Sequence, residues 1–323
     1  MLKQFDFERK IKMKKILSVF LALILAFSCL AVFGSAASFE EAEMPFENSA
    51  FFEDGDYTLH YRTYGNRLLN RSKIMLFHGF GLSTESLDGI ATEYENAGYY
   101  VVTVDMPNFG YSSRETESTA LVSREELAFE LMEALGGNWI LGGHSMGGGI
   151  AVNIAVNHPE KVKGLVLFAP QTSVKAQGFV SSFMKSKLMR SVFGSLIGLA
   201  AACPFLVRPL VSLSFSDDDF AKNYDVSKIT APLSVPGTGA GMAVMSSHTQ
   251  GTDFEAFSAL EIPVVFVTAE NDKVANAKNL EKLISSAPQG AVVEKVSAGG
   301  HMMMEYDPAN TASLTLPVIQ TMR

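Results

Sequence analysis

Ser145 sits at the centre of Gly143-His144-Ser145-Met146-Gly147, preceded by the apolar Trp139-Ile140-Leu141 and followed by Ala, Val and Ile at helical spacing. A serine flanked by glycines at a strand-to-helix junction is the pattern of a sharp turn that lifts the hydroxyl clear of the chain and strains its backbone. The chemistry open to such a serine is nucleophilic attack on an acyl carbon. Its hydroxyl is nearly inert at neutral pH, so it needs a base within hydrogen-bond reach, and that base needs an acid to hold its tautomer. Downstream the chain offers Glu270 and Asp272 after one apolar run and His301 after another.

The elements that must position these groups alternate. Strand-like runs are Tyr57–Thr63, Lys73–Phe77, Tyr99–Val104, Asn138–Leu141, Val162–Phe168, Ile262–Val267 and Ala291–Val296. Several are apolar throughout, as parallel strands covered on both faces are. Helical patterns lie between them. Ser123-Arg124-Glu125-Glu126 is a capping box, Leu127, Leu131 and Leu135 share a face, and Gly136 stands at the C-terminal cap position. Met146–Asn157 reads as a helix that stops before Pro159. Such alternation implies an α/β sheet with right-handed crossovers.

It breaks once, from Gln171 to Glu261. There Phe193–Phe215 is strongly apolar but interrupted by Pro204 and Pro209, too broken for a membrane span and too apolar for a disordered linker. The segment reads as a mostly helical insertion over the sheet's carboxyl edge. Within it Ser234–Gln250, rich in Gly, Ser, Met and Pro, reads as loop. Phe179, Phe183 and Met184 are expected to help line an apolar acyl pocket.

Five segments then line up in order, each at the end of a strand-like run. They are Leu76-Phe77-His78-Gly79-Phe80-Gly81; Val104-Asp105-Met106-Pro107-Asn108-Phe109-Gly110-Tyr111-Ser112; the Ser145 turn; Val267-Thr268-Ala269-Glu270-Asn271-Asp272-Lys273-Val274; and Gly299-Gly300-His301. Together they resemble the α/β-hydrolase superfamily across nearly all of the chain beyond its N-terminal segment. The resemblance implies a mostly parallel, about eight-stranded sheet flanked by helices. Residues 37–170 and 262–323 would form its core, and 171–261 a helical lid.

The superfamily's chain order is nucleophile, acid, histidine. It implies Ser145 as nucleophile, Asp272 as acid and His301 as base. Glu270 is a rival acid. The family pattern places the acid before a polar and then an aliphatic residue, which Lys273-Val274 supply after Asp272. Asp105 resembles a loop-stabilising acceptor, and Asn108 stands where many relatives carry glycine, a position asparagine tolerates at positive φ. His78 falls in the oxyanion segment, His144 inside the turn, His158 before Pro159, and His60 and His248 outside the pattern. The backbone N–H groups of Phe80 and Met146 are the implied oxyanion donors.

The activity implied is hydrolysis of carboxylic esters of the esterase, monoacylglycerol lipase or lysophospholipase type, on a small-molecule ester or lipid, with no metal or cofactor. The same triad serves acyl transfer, perhydrolysis and C–C bond cleavage elsewhere in the superfamily. Ligand-binding relatives that have lost catalysis usually lack part of it.

The first residues carry a different signal. Lys10, Lys12, Lys14 and Lys15 lead into the uncharged run Ile16–Phe33, which ends in Gly34-Ser35-Ala36-Ala37. A basic start, an apolar middle and a small-residue exit describe an export signal over residues 1–36; left uncleaved, the same run would anchor the protein to a membrane. Removing its six basic and two acidic residues from the chain's 26 and 34 leaves a net charge of −12. So acidic a product without basic clusters has nothing with which to neutralise phosphates, which excludes nucleic acid as a partner. Only Cys203 would remain, so no intramolecular disulfide can brace the fold.

Overall fold

A strand buried on both sides must send apolar residues to two cores, because successive side chains point to opposite faces. The computed structural model of the chain shows this at its centre and describes residues 44–68, 72–116, 118–172, 186–245 and 251–322. The basic and apolar N-terminal segment and Phe179, Phe183 and Met184 lie outside the described residues. The strands are β1 (Ser49–Asp54), β2 (Tyr57–Tyr64), β3 (Lys73–Phe77), β4 (Tyr100–Val104), β5 (Trp139–His144), β6 (Val162–Phe168), β7 (Val264–Ala269) and β8 (Val292–Val296). They form one sheet in the order β1-β2-β4-β3-β5-β6-β7-β8. The β1–β2 and β2–β4 pairs are antiparallel and all the others parallel. Met75, Phe77, Leu165 and Leu167 enter one buried cluster, and Ile74, Leu76, Val166 and Phe168 the other.

Helices cover both faces. They are α1 (Asp88–Asn96), α2 (Arg124–Leu135), α3 (Met146–Asn157), α4 (Lys187–Ala202), α5 (Pro204–Phe215), α6 (Asp218–Asn223), α7 (Ser227–Leu233), α8 (Thr238–Met245), α9 (Phe254–Ser258), α10 (Ala277–Ser285), α11 (Met303–Tyr306) and α12 (Pro308–Ile319). Leu127 and Leu131 of α2 and Ile150 and Ile154 of α3 seal the first cluster, and Ile90 and Tyr94 of α1 with Ala312 and Ile319 of α12 seal the second. Ser123 caps α2 as its sequence predicts: the Glu126 N–H donates to Ser123 Oγ at 3.0 Å, and Gly136 ends α2 at φ 68°.

Two sequence expectations are corrected. β1 is an eighth strand outside the seven expected runs; Ser-Ala-Phe-Phe-Glu-Asp has no β-branched residue, and the strand exists because β2 offers it an antiparallel edge. Ser234–Gln250 is not all loop, since α8 occupies Thr238–Met245. Its glycines serve packing. A Cβ on Gly239 would come within 2.7 Å of the Gly194 Cα, and one on Gly241 would overlap the Asn108 side chain.

Every helix or strand in the described part of 171–261 is a helix, from α4 to α9. Cys203 leaves helical geometry (φ −126°, ψ 81°) before Pro204, so α4 and α5 meet at 92°. That follows from proline's clash with a helical residue before it. Among the described residues no single helix is long and apolar enough to cross a membrane, though this bent pair passes the same test jointly.

The order β4-β3-β5 sets the site. The β3-to-β4 and β4-to-β5 crossovers run in opposite directions along the sheet, which opens a crevice at the carboxyl ends of β3 and β5. Phe77 of β3 pairs with Gly143 of β5, so the loops after them emerge side by side.

Candidate active site

Ser145 links β5 to α3 with φ 51° and ψ −116°, outside the regions an L-residue ordinarily occupies. The turn holds that conformation from several sides. The Ser145 N–H donates to the Phe168 carbonyl at 2.9 Å, and its own carbonyl accepts from Gln171 at 2.8 Å and Gly148 at 3.0 Å. The flanking glycines are obligatory. A Cβ on Gly143 would overlap the Gly147 backbone, and one on Gly147 would overlap the Phe77 carbonyl. Three chain segments therefore cross with no room for side chains, and the serine is pushed outward.

Asp272 and His301 come together from adjacent strand ends, 29 residues apart in sequence, with His301 Nδ1 and Asp272 Oδ2 at 2.8 Å. The other carboxylate oxygen accepts the N–H groups of Val274 (2.8 Å) and Ala275 (2.9 Å), which fixes its orientation. Burial pushes the Asp272 carboxyl up, but the hydrogen bond and charge of His301 and these two amides outweigh it and hold it below the usual carboxylate range. Glu270, by contrast, is exposed. Gly299 and Gly300 turn the chain at φ 87° and 55° into the short helical turn that carries His301. A Cβ on Gly300 would strike the Ser214 carbonyl of α5 at 2.5 Å.

Phe80 follows β3, its ring half-exposed and edge-on to Phe109 at 5.6 Å. Among the described residues the backbone N–H groups of Phe80 and Met146 donate to no acceptor. For Met146 this is the orphan donor of a helix start, where the helix dipole favours negative charge. Loop rigidity comes from buried histidines. The Met106 N–H donates to His78 Nε2 at 3.1 Å, which leaves His78 Nδ1 to donate to the Gly79 carbonyl at 2.7 Å. Burial lowers the His78 pKa, in keeping with a neutral ring.

His144, inside the turn, does what its sequence position did not announce. Its Nε2 donates to the His301 carbonyl at 2.8 Å, and the two rings meet edge-on at 4.7 Å. Burial, and then the neighbouring His301, hold its pKa well down, so it ties the Ser145 turn to the His301 loop as a neutral group.

A second Ser-His-Asp chain lies elsewhere: Ser49 Oγ to His60 Nε2 at 2.7 Å, and His60 Nδ1 to Asp105 Oδ2 at 2.7 Å. It differs in every respect that chemistry needs. Ser49 lies in regular strand paired with Arg62, its Oγ accepts the Phe46 N–H, and Phe46, Phe51 and Tyr111 enclose the His60 ring. Asp105 also accepts Thr84 and Tyr111 N–H groups, and a Cβ on Gly110 would overlap its carboxylate. Asp105 thus organises the loop, as the sequence implied, and Asn108 at φ 75° takes the glycine-like position.

A cavity of about 810 Å³ opens between α4 and α8, lined by Arg114, Ser191, Gly194, Ser195 and Thr238 among others. Ser145, Asp272 and His301 do not line it. Among the described residues no group of His, Cys, Asp and Glu could hold a metal ion.

Comparison with known proteins agrees with this architecture. Residues 73–308 match the profile of the alpha/beta hydrolase fold family. The dihydrolipoyllysine-residue acetyltransferase component of the acetoin cleaving system of Cupriavidus necator is 26% identical over 245 residues, covering 71% of this chain but only 58% of that protein. Lipase 3 of Moraxella sp. is 26% identical over 258 residues, covering 74% of this chain and 75% of the lipase. Among solved structures, MGS-M2, an alpha/beta hydrolase from a deep-sea metagenome library, superposes with a TM-score of 0.67 at 19% identity, covering 84% of this chain and 97% of that one. That likeness speaks for the fold alone.

Proposed function

Because the chain belongs to the alpha/beta hydrolase fold family, we propose that it is a serine hydrolase of carboxylic esters with a largely apolar acyl group, acting through Ser145, His301 and Asp272. The observations that carry this reading are the 2.8 Å His301–Asp272 pair and a serine held at φ 51°, whose neighbour His144 bonds the His301 carbonyl at 2.8 Å. With Nδ1 committed to Asp272, only Nε2 of His301 is left to take the Ser145 proton as Oγ attacks the ester carbonyl. The N–H groups of Phe80 and Met146 then receive the oxyanion. His301 returns the proton to the leaving alcohol, and water repeats the sequence to release the acid. The likeness to a Moraxella lipase supports an ester substrate.

The insertion acts in this reading as a lid, with Phe179, Phe183 and Met184 contributing to the acyl pocket. The basic and apolar start of the chain supports export, with membrane association if the segment is retained. The strongly acidic remainder argues against nucleic acid as a partner. Fluorophosphonate labelling tests the core of the proposal. The probe should mark Ser145, and Ser145→Ala should abolish labelling and lower turnover on the order of 10³-fold or more while the protein stays folded. Labelling of another serine would sink the assignment.

A further inference from the structure

The described residues include two buried arginines, Arg62 and Arg124, and a half-buried one, Arg114; Arg62 and Arg114 have ordinary partners. Arg62 pairs with the Asp88 carboxylate at 3.0 Å and with Asn48. Arg114 donates to the backbone carbonyls of Phe109, Ser112, Gly110 and Pro232 and to the Thr238 hydroxyl. Arg124 has neither. It is 6% exposed, and its hydrogen bonds are to two thioether sulfurs, Met146 Sδ at 3.0 Å and Met245 Sδ at 3.2 Å. Thioethers are weak acceptors, and an arginine keeps its charge in a protein, so the Nη1 group of Arg124 is only weakly satisfied. Burying such a cation without an anion is costly, and a methionine or leucine would fill the same space without that cost.

The position of this cation matters. Met146 follows Ser145 directly, and Met245 ends α8 of the insertion, so Arg124 lies at the seam between the reactive turn and the insertion. Two carboxylates act on it through space, Glu115 and Glu125, yet neither pairs with it. Glu125 accepts from the Asn153 amide at 3.1 Å, and Glu115 from Tyr57 at 3.0 Å and the Asn108 amide at 2.6 Å. Their oxygens are committed elsewhere.

We infer that Arg124 is a specificity-determining residue that receives a carboxylate carried by the ester substrate, one methionine side chain away from the reacting serine. The inference rests on the ester-hydrolase reading and refines its substrate class: an apolar stem ending in an acid. A planar guanidinium facing a carboxylate out of water is the strong form of this pair, which discriminates an acid-ended ester from its uncharged counterpart by about ten- to a hundredfold.

The experiment compares matched esters that differ only in the terminal acid. 4-Nitrophenyl hydrogen adipate against 4-nitrophenyl hexanoate places the carboxylate on the acyl side; 4-(butanoyloxy)butanoate against butyl butanoate places it on the alcohol side. A kcat/KM ratio of ten or more in either pair, lost in Arg124→Met and partly kept in Arg124→Lys, is the expected result. Ratios near one in both pairs, or a preference that survives Arg124→Met, would overturn it. Should the methionine variant fail to fold, the wild-type ratios decide with the lysine variant. Binding is read independently of turnover: adipate should raise the Tm of the wild-type protein and hexanamide should not, and equal shifts or none would overturn the inference. Ser145 labelling by fluorophosphonate separates the two levels. Labelled protein that hydrolyses hexanoate without acid preference keeps the hydrolase and loses the role of Arg124.

Discussion

At the scale of residues, the candidate acid is decided by what each carboxylate can touch. Asp272 reaches His301, while Glu270 points to solvent and contributes its backbone N–H to the Val296 carbonyl. Asp272→Asn should therefore lower kcat on the order of 10³-fold, since an amide cannot stabilise the imidazolium and can hold the wrong tautomer. Glu270→Gln should leave kcat within a few-fold of wild type, as surface changes commonly do. Steady-state kinetics on a short chromogenic ester reads both, and a larger effect at Glu270 would reverse the assignment. The Ser49–His60–Asp105 chain shows why composition of a hydrogen-bonded trio is not enough. It has the same three residue types and, at 2.7 Å, a His–Asp contact like the 2.8 Å one of His301 and Asp272, but no strained turn and no helix start behind the hydroxyl.

The elements hold these residues by contacts between backbones. Gly147→Ala would drive a methyl group into the carbonyls of Phe77 and His78, which are strand-end backbone and cannot step aside. A loss of about 3 kcal/mol or more is expected, together with loss of fluorophosphonate labelling in the protein that still folds. Gly198, in α4, has open space where its Cβ would stand. Gly198→Ala should instead stabilise by about 0.5–1 kcal/mol through helix propensity alone. Denaturant titrations of the two variants should move in opposite directions. Equal destabilisation would mean that α4 is packed more tightly than its surroundings indicate.

For the molecule as a whole, the insertion is fastened to the core near His301 by a titratable latch. Glu305 of α11 accepts from the Tyr224 hydroxyl at 2.9 Å and lies 3.5 Å from Lys228 of α7, while its second oxygen is buried without a partner. Burial pushes the Glu305 carboxyl up to about 7 against the pull of Lys228. The folded state therefore holds the proton more tightly than the unfolded chain. The stability this contributes is complete below about pH 4.5 and is lost as pH rises through about 7. Glu305→Gln keeps an acceptor for Tyr224 and removes the titration. The variant should be more stable than wild type above pH 7, by at most about 3 kcal/mol, and should lack the decline between pH 4.5 and 7. Thermal unfolding across that range tests it, and parallel pH curves for the two proteins would show that Glu305 is not the group responsible.

The sequence alone determined the alternating α/β order, the helical character of the described part of 171–261, and the turns that carry Ser145, Asp272 and His301. The reason is local: a glycine-flanked serine between a strand and a helix, a capping box, and left-handed glycines before His301 each leave a mark within a few residues. What joins distant segments left no such mark. His144 reaches the His301 carbonyl 157 residues away, and α8 carries glycines because Gly194 and Asn108 press against it. β1 forms on an edge that β2 supplies. Arg124 reads in the sequence as one charge within a capping box; only packing reveals that it is buried against two thioethers, one of them that of Met146 next to Ser145. A local pattern can specify a turn, but the environment of a charge is set by whichever segments the sheet order brings to it, and those are chosen by the whole chain.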